Sequence, residues 1–214
     1  MSTMNGTRLR WLCGALLVAL SGCNQSSQNE VAPKAKQIAA ENAQLYASWK
    51  QQPDNQAQLA KLGNYLRDHD VDDVIALEEL VRSDVNWRRC NAPPFLVPDD
   101  KAWPHMVSTL RLIKEEIIPK WGGVEALSVY RSPQINECLG GASRSAHMQY
   151  YAIDMQFRQP VERAELIKRL CGLHRKIGPA RKMGLGIYKG TRFHIDTLGY
   201  RRWGQDKRGA SSPC

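Results

Sequence analysis

The first half of the chain carries apolar residues at helical spacing. Over residues 36–83 they recur mostly three, four or seven positions apart, and Pro53 interrupts the run. They are Ile38, Leu45, Tyr46, Trp49, Leu59, Leu62, Tyr65, Leu66, Val74, Leu77 and Val81. We therefore predict three helices in a helical segment over 36–92, which either packs on the rest of the chain or acts as a spacer. The proline-rich run at 90–100 marks the boundary with a second domain over 93–214.

The second half alternates between helical and strand-like patterns. The predicted elements are an amphipathic helix over 102–121, strands over 125–130 and 151–157, a helix with proline at its start over 160–178, and a hairpin over 185–197. In the first of these helices Leu110, Ile113 and Ile117 face inward, and Pro119 lies near its end. Gly190 supplies the turn of the hairpin. Helices outside a few antiparallel strands predict an α+β fold with a small antiparallel sheet flanked by helices.

The first 23 residues have the pattern of an export signal. Arg8 and Arg10 precede an apolar run that is too short to span a bilayer as a mature helix. The run ends in "LSGC", which resembles the lipobox of bacterial lipoproteins; an ordinary secretory signal is the alternative. We therefore expect a lipoprotein signal peptide over 1–22, a lipid on Cys23 and a flexible tether over 23–35.

The expected location and the charge indicate the kind of partner. An aspartate directly after the lipidated cysteine would resemble an inner-membrane retention signal, but this position is Asn24. The periplasmic face of the outer membrane is therefore favoured for a bacterium with two membranes. The formal charge is +9, and loss of the signal removes two arginines and no acid. A basic surface suits an anionic partner such as a cell-wall polymer or lipid head groups. Nucleic acid also fits the charge, but export and the lack of a recognition motif argue against it.

Four cysteines remain outside the signal and the lipidation position, namely Cys90, Cys138, Cys171 and Cys214. In an oxidising compartment they are expected to form two disulfides, for which three pairings exist. We prefer Cys90 with Cys138 and Cys171 with Cys214. A zinc site made of all four thiolates is the alternative, but the chain has no C-x-x-C pair among them.

Two histidines and two aspartates lie in or beside the predicted strands. His147 ends a loop rich in glycine and serine, Asp154 lies in the strand that follows, and His194 lies in the hairpin. Two imidazoles and a carboxylate are ligands that a catalytic zinc site takes from protein, with a fourth position left for water. Because side chains alternate along a strand, Asp196 shares the face of His194, where a carboxylate could act as a general base. The pattern predicts a metal site, although a buried strand histidine is more often a core residue.

Three motifs in order resemble a known family over about residues 124–204. "SAHMQYYAID" resembles the S-x-H-x4-A-x-D signature of the D-alanyl-D-alanine carboxypeptidase family of zinc metallopeptidases, and "VYRSPQIN" resembles the run found upstream of that signature. "GLGIY" and "RFHIDTLGYRRW" resemble the closing hairpin of the murein-hydrolase branch of that family. The resemblance implies a hedgehog/DD-peptidase-like fold and one zinc ion per chain.

The resemblance also assigns roles to individual residues. His147, Asp154 and His194 would be the zinc ligands. Asp196 matches the aspartate of the family's H-x-D motif and would act as a base or orient a ligand. Arg131 matches the family's arginine and would bind a peptide carboxylate or stabilise the oxyanion formed on attack.

The chain departs from the family pattern at two positions. Tyr150 replaces the usual glycine of the first motif, which could narrow the cleft or change which peptide fits, and Ser145 and Gln149 beside it could also line a substrate site. Thr191 stands where some branches carry an acid. The other histidines match no motif and are expected at the surface; they are His69, His105 and His174.

The resemblance implies a lipid-anchored, zinc-dependent peptidase that hydrolyses amide bonds in the stem peptides or cross-links of peptidoglycan. An endopeptidase is favoured over a carboxypeptidase because of the closing hairpin. The alternative is a catalytically inactive zinc-fold lipoprotein that binds peptidoglycan as an adaptor or regulator.

Overall fold

The computed structural model describes Gln37 and residues 40–214. The expected signal peptide 1–22, the lipidation position Cys23 and the tether 23–35 lie outside the described residues and stay predictions. Residues 43–214 form one compact unit. The part of the helical segment within that unit therefore packs on the rest of the fold and is not a spacer. The boundary placed between residues 92 and 93 stays a prediction.

The N-terminal part of the described chain contains two longer helices and one short one, namely α1 over 40–50, α2 over Pro53–Asp68 and α3 over Leu77–Leu80. Pro53 opens α2, where its missing N–H costs nothing. Tyr46 and Trp49 of α1 pack on Phe95, with ring centroids 5.2 and 5.4 Å away. The third predicted helix is much shorter than expected, because the left-handed Asp70 ends α2 and residues 71–76 form turns.

A continuous helical run crosses the core between the N-terminal helices and the sheet. It consists of α4 (Trp103–Leu112), a π-helical stretch (Ile113–Ile117) and α5 (Ile118–Trp121). Pro119 cannot donate to the preceding turn, and the π stretch directly before it accommodates that missing hydrogen bond. Leu110, Ile113 and Ile117 are buried as predicted, and the run ends before Gly122, which has a φ of 84°.

Two further helices are α6 over Pro133–Cys138 and α7 over Arg163–Arg181, and of these α7 packs on the sheet. Helix α7 begins three residues later than predicted, because Glu162 is still extended. His174, expected at the surface, is instead buried on the inner face of α7. Among the described residues, no helix is long and apolar enough to cross a membrane.

The sheet has five strands in the order β1-β2-β4-β3-β5. They are β1 (Val124–Ser128), β2 (Ala152–Phe157), β3 (Gly184–Ile187), β4 (Phe193–Asp196) and β5 (Arg201–Trp203). The fold is α+β, as predicted. The sheet differs from the prediction at one edge, since β5 pairs parallel with β3 while the other pairs are antiparallel.

Both disulfides form with the preferred pairing, Cys90–Cys138 and Cys171–Cys214. The first joins the region after α3 to the end of α6. The second joins α7 to the last residue of the chain. The four cysteines therefore do not form the alternative zinc site.

Candidate metal centre and cleft

The two central strands place two of the predicted ligands side by side. Asp154 in β2 is directly opposite His194 in β4 in the antiparallel register. Directly opposite residues of two strands point to the same face, so both side chains meet there. His147 arrives from a short 3-10 helix over Ala146–Gln149, whose first turn is capped by the Ser145 hydroxyl accepting the N–H of His147 at 3.3 Å.

Three ligand atoms of these residues form a nearly equilateral triangle. The Nε2 atom of His147 lies 3.2 Å from Nδ1 of His194 and 3.3 Å from Oδ1 of Asp154. The Nδ1 atom of His194 lies 2.9 Å from the same Oδ1. Ligands of a tetrahedral zinc ion are about 3.3 Å apart when the metal–ligand distances are 2.0–2.1 Å. The donor types and their spacing therefore fit one zinc ion.

Hydrogen bonds outside the triangle point the lone pairs of both imidazoles into it. The Nδ1–H of His147 donates to the carbonyl oxygen of Val129 at 2.7 Å. The Nε2–H of His194 donates to Oδ2 of Asp196 at 2.8 Å. With these tautomers, two lone pairs and a carboxylate oxygen face one another with no donor between them. Buried acceptors without a donor are unfavourable, and a cation at the centre of the triangle would satisfy all three.

The electrostatics of the three groups follow from burial and from their neighbours. Burial, followed by the charge of Arg131, lowers the pKa of His147 to about 4, so this imidazole is neutral near neutral pH. Burial also acts to lower the pKa of His194, but the neighbouring carboxylates of Asp154 and Asp196 outweigh that effect and raise it. For Asp154 burial acts to raise the pKa, while His147 and Arg131 hold it well below its usual range.

Asp196 lies beneath His194 and is fully buried. Its carboxylate accepts the His194 hydrogen bond and a two-point contact from Arg201 at 3.0 and 2.8 Å. The backbone N–H of Leu198 donates to it at 2.9 Å. These partners occupy both of its oxygens. The position of Asp196 thus favours the second of its two expected roles, the orientation of His194.

The outer oxygen of Asp154 is held by two guanidinium groups. Arg131 donates to this Oδ2 at 2.5 Å and Arg192 at 2.6 Å. The carboxylate of Asp84 approaches the same two arginines, at 3.1 Å from Arg131 and 3.8 Å from Arg192. Arg131 also donates through Nε to the hydroxyl of Ser128 at 2.8 Å. Arg131 therefore fixes Asp154, and its role towards substrate stays a prediction.

A cleft of about 270 Å³ opens over the centre. His147, His194 and Arg131 lie among its lining residues, and so does Ser145. Gln149 is exposed but does not line the cleft. One further wall is aromatic and is formed by Tyr188 and Trp203.

Tyr150 does not belong to the cleft, contrary to the prediction. Its φ of 59° turns the side chain away from His147 and into the core, where it is fully buried. Its hydroxyl donates to the carbonyl of Leu80 at 3.2 Å, and its ring meets Tyr130 edge-on. The residue that replaces the family's glycine therefore fills a core space and does not narrow the cleft.

Several residues of the site escaped sequence reasoning. Arg192 donates to Asp154, and Asp84 lies beside Arg192 at 3.8 Å. Trp203 packs edge-on against His194 with centroids 4.8 Å apart. Tyr188 lines the cleft beside them, with its hydroxyl 3.4 Å from the indole nitrogen of Trp203. Arg192 directly precedes β4, two positions before His194, which was an available signal. Asp84 gave none, because it lies 70 positions before Asp154.

A family model described as Peptidase M15 matches residues 79–196. The matched part contains the candidate ligands His147, Asp154 and His194. It also contains Arg131, Arg192 and Asp84. A search of curated proteins and a search of solved structures returned no match.

Proposed function

Since the chain belongs to the Peptidase M15 family, we propose that it is a zinc-dependent peptidase that hydrolyses amide bonds in the stem peptides or cross-links of peptidoglycan. The observation that carries the proposal is the triangle formed by His147, Asp154 and His194 beneath an open cleft. Zinc bound there would supply Lewis acidity, which makes water more nucleophilic and an amide carbonyl more electrophilic. Family membership and the geometry of the donor set support the same chemistry.

The protein residues would bind the substrate and keep the ligands in place. Asp196 and the Val129 carbonyl hold the two imidazoles in the required tautomer, while Arg131 and Arg192 keep one oxygen of Asp154 turned away from the triangle. An endopeptidase is favoured over a carboxypeptidase. The closing hairpin resembles that of murein hydrolases, and an anchored enzyme suits an insoluble, cross-linked substrate.

The proposed location follows from the N-terminal residues. A lipid on Cys23 would anchor the protein to the periplasmic face of a bacterial membrane, with the outer membrane favoured. Peptidoglycan would then be its partner, within reach of the tether over 23–35. Metabolic labelling with a radioactive fatty acid tests this, because the label should be lost in Cys23→Ser.

The function is tested with a soluble form that begins after Cys23 and has its disulfides oxidised. This protein is incubated with purified sacculi and defined cross-linked muropeptides, with zinc or with a chelator, and the products are identified by mass spectrometry. Zinc-dependent loss of the cross-linked dimer indicates an endopeptidase, and release of single alanine indicates a carboxypeptidase. Cleavage that persists with the chelator would refute a zinc peptidase.

One observation favours a second candidate, a non-catalytic peptidoglycan-binding module. Among the described residues that line the cleft, none is aspartate or glutamate, and Asp196 has both oxygens paired. Thr191 also stands where some branches of the family carry an acid. The second candidate predicts that the zinc-loaded protein binds muropeptides and releases no product from any of them.

A further inference from the structure

The walls of the cleft are strongly cationic. Five basic side chains line it, and no acidic one does so among the described residues. They are Arg131, Arg144, Arg201, Arg202 and Lys207. Two of the five are neutralised within the protein, since Arg131 contacts Asp154 and Asp84 and Arg201 contacts Asp196. The excess positive charge of the cleft therefore comes from the other three.

Those three cations form what we call the basic rim: Arg144, Arg202 and Lys207. Arg144 and Arg202 are exposed, and neither has a carboxylate partner among the described residues. Lys207 donates through Nζ to the carbonyls of Leu139 and Gly140, which are neutral acceptors. Burial, followed by the charge of Arg131, lowers the pKa of Lys207. The rim is thus a set of like charges, none of which forms an ion pair with a carboxylate of the described protein.

We infer that the basic rim is a subsite for carboxylate groups of an acidic stem peptide, so that the protein selects peptides with free carboxyl groups over peptides in which those groups are amidated. This inference rests on the proposed function and extends it to the substrate class. A guanidinium group matches a carboxylate through two parallel hydrogen bonds, and an amide in its place offers one acceptor and no charge.

The position of the rim favours a peptide over a phosphate-bearing wall polymer. The three cations share one small cleft with the metal centre and with the aromatic wall of Tyr188 and Trp203. A peptide whose amide bond lies over His147 and His194 would bring its neighbouring carboxylates to the walls of the same cleft. A long anionic polymer would gain more from charges spread over an open face.

The test compares two substrates that differ only in charge. One is a synthetic cross-linked stem-peptide dimer with all its remaining carboxyl groups free, and the other is the same dimer with those groups as primary amides. KM and kcat are measured with the zinc-loaded protein and with Arg144→Gln, Arg202→Gln and the double variant. Both side chains are exposed, so the substitutions leave the core unchanged.

We expect the unmodified protein to have a lower KM for the free-acid dimer than for the amidated one. Each single variant should raise KM for the free acid about threefold to tenfold, with little change in kcat and little effect on the amidated dimer. The difference between the two substrates should shrink as ionic strength rises. Arg175→Gln is the matched control, because Arg175 is exposed on α7 and does not line the cleft.

Three results would overturn the inference. One is equal KM for both dimers, and another is an equal rise in KM for both dimers in the rim variants. The third is unchanged KM combined with loss of retention on sacculi, which would assign the rim to an anionic wall polymer. If no dimer is cleaved, the proposed function fails on its own. Calorimetric affinities for the two dimers, in the same set of variants, then decide the inference separately.

Discussion

At the scale of single residues, the hydrogen bond on the outer nitrogen of each histidine decides which nitrogen faces the metal position. His147 uses a backbone carbonyl for this, and His194 uses the carboxylate of Asp196. A carboxylate partner also raises the basicity of the ligand. The two imidazoles are therefore held by different means, and only that of His194 can be altered by changing a side chain.

The first prediction concerns Asp196→Asn. The amide keeps the size of the side chain but removes the charge that accepts from His194 and that pairs with Arg201. We expect zinc affinity to fall about 10-fold to 100-fold, measured by competition with a chromophoric chelator. Asp73→Asn, an exposed aspartate paired with Lys114, is the control and should leave zinc affinity unchanged. Unaltered affinity in Asp196→Asn would contradict the orienting role.

The second prediction concerns His174 and pH. Its Nε2–H is shared between the carbonyls of Met183 and Arg201 at 3.2 and 3.1 Å, and its Nδ1 has no partner among the described residues. Burial lowers its pKa. The unfolded chain therefore takes up a proton near pH 6.5 that the folded protein resists, so the free energy of unfolding falls as pH drops below about 6.5.

The measurement is urea unfolding of metal-free protein and of His174→Gln between about pH 7.5 and 5.5. The free energy of unfolding of the variant should be lower at every pH. It should also change less with pH than that of the unmodified protein. The difference in slope should approach about 1 kcal/mol per pH unit. Parallel curves would show that His174 takes no part in acid destabilisation.

At the scale of elements, two glycines of strand β3 leave space for side chains of the site. Gly184 is opposite Asp196 and Gly186 is opposite His194 in the β3–β4 register. A Cβ atom on Gly184 would lie 2.3 Å from Oδ2 of Asp196, and one on Gly186 would lie 2.5 Å from the indole nitrogen of Trp203. Both distances are shorter than a Cβ atom tolerates, so the side chain of Asp196 or Trp203 would have to shift.

The third prediction follows from this crowding. Gly184→Ala should lower the free energy of unfolding by about 1–3 kcal/mol, because Asp196 is buried and bonded on every side. Gly172→Ala is the matched control, since a Cβ at Gly172 in α7 meets nothing within 4 Å. That change should stabilise the protein by about 0.5–1 kcal/mol. Urea unfolding decides, and equal effects of the two changes would refute the argument.

The elements that carry the ligands were predictable because two signals coincide there. Asp154 and His194 lie in segments with strand-like alternation, and both belong to motifs of the family. The parallel pairing of β5 was not predictable, since three residues carry no information on direction. The burial of the Tyr150 side chain in the core was not predictable either, because a positive φ at a tyrosine has no sequence signal.

At the scale of the whole molecule, the site draws on parts of the chain that are far apart in sequence. Asp84 comes from the region after α3 and lies beside Arg131 and Arg192. The same two arginines pair with the candidate ligand Asp154. The disulfide Cys90–Cys138 ties this region to α6, which leads into the loop that carries Arg144 and Ser145. The sequence-based prediction treated residues 36–92 as a separate segment and so missed this contribution.

The fourth prediction compares the two disulfides. They close loops of similar length, with sequence separations of 48 and 43. Removing either pair, as Cys90→Ser with Cys138→Ser or Cys171→Ser with Cys214→Ser, should cost about 2–4 kcal/mol of unfolding free energy. Loss of the first pair should also weaken zinc binding, since it loosens Asp84 and the cleft loop. Equal zinc affinity in the two double variants would refute that link.

The central claim is that one zinc ion, held by His147, Asp154 and His194, makes this protein a peptidase. The most direct test is a titration of metal-free protein with zinc, in which hydrolysis of a cross-linked muropeptide dimer is followed by mass spectrometry. We predict no hydrolysis without zinc, a rise that saturates at one equivalent per chain, and no response in His194→Ala. Hydrolysis that does not depend on zinc, or none with one equivalent bound, would contradict the account.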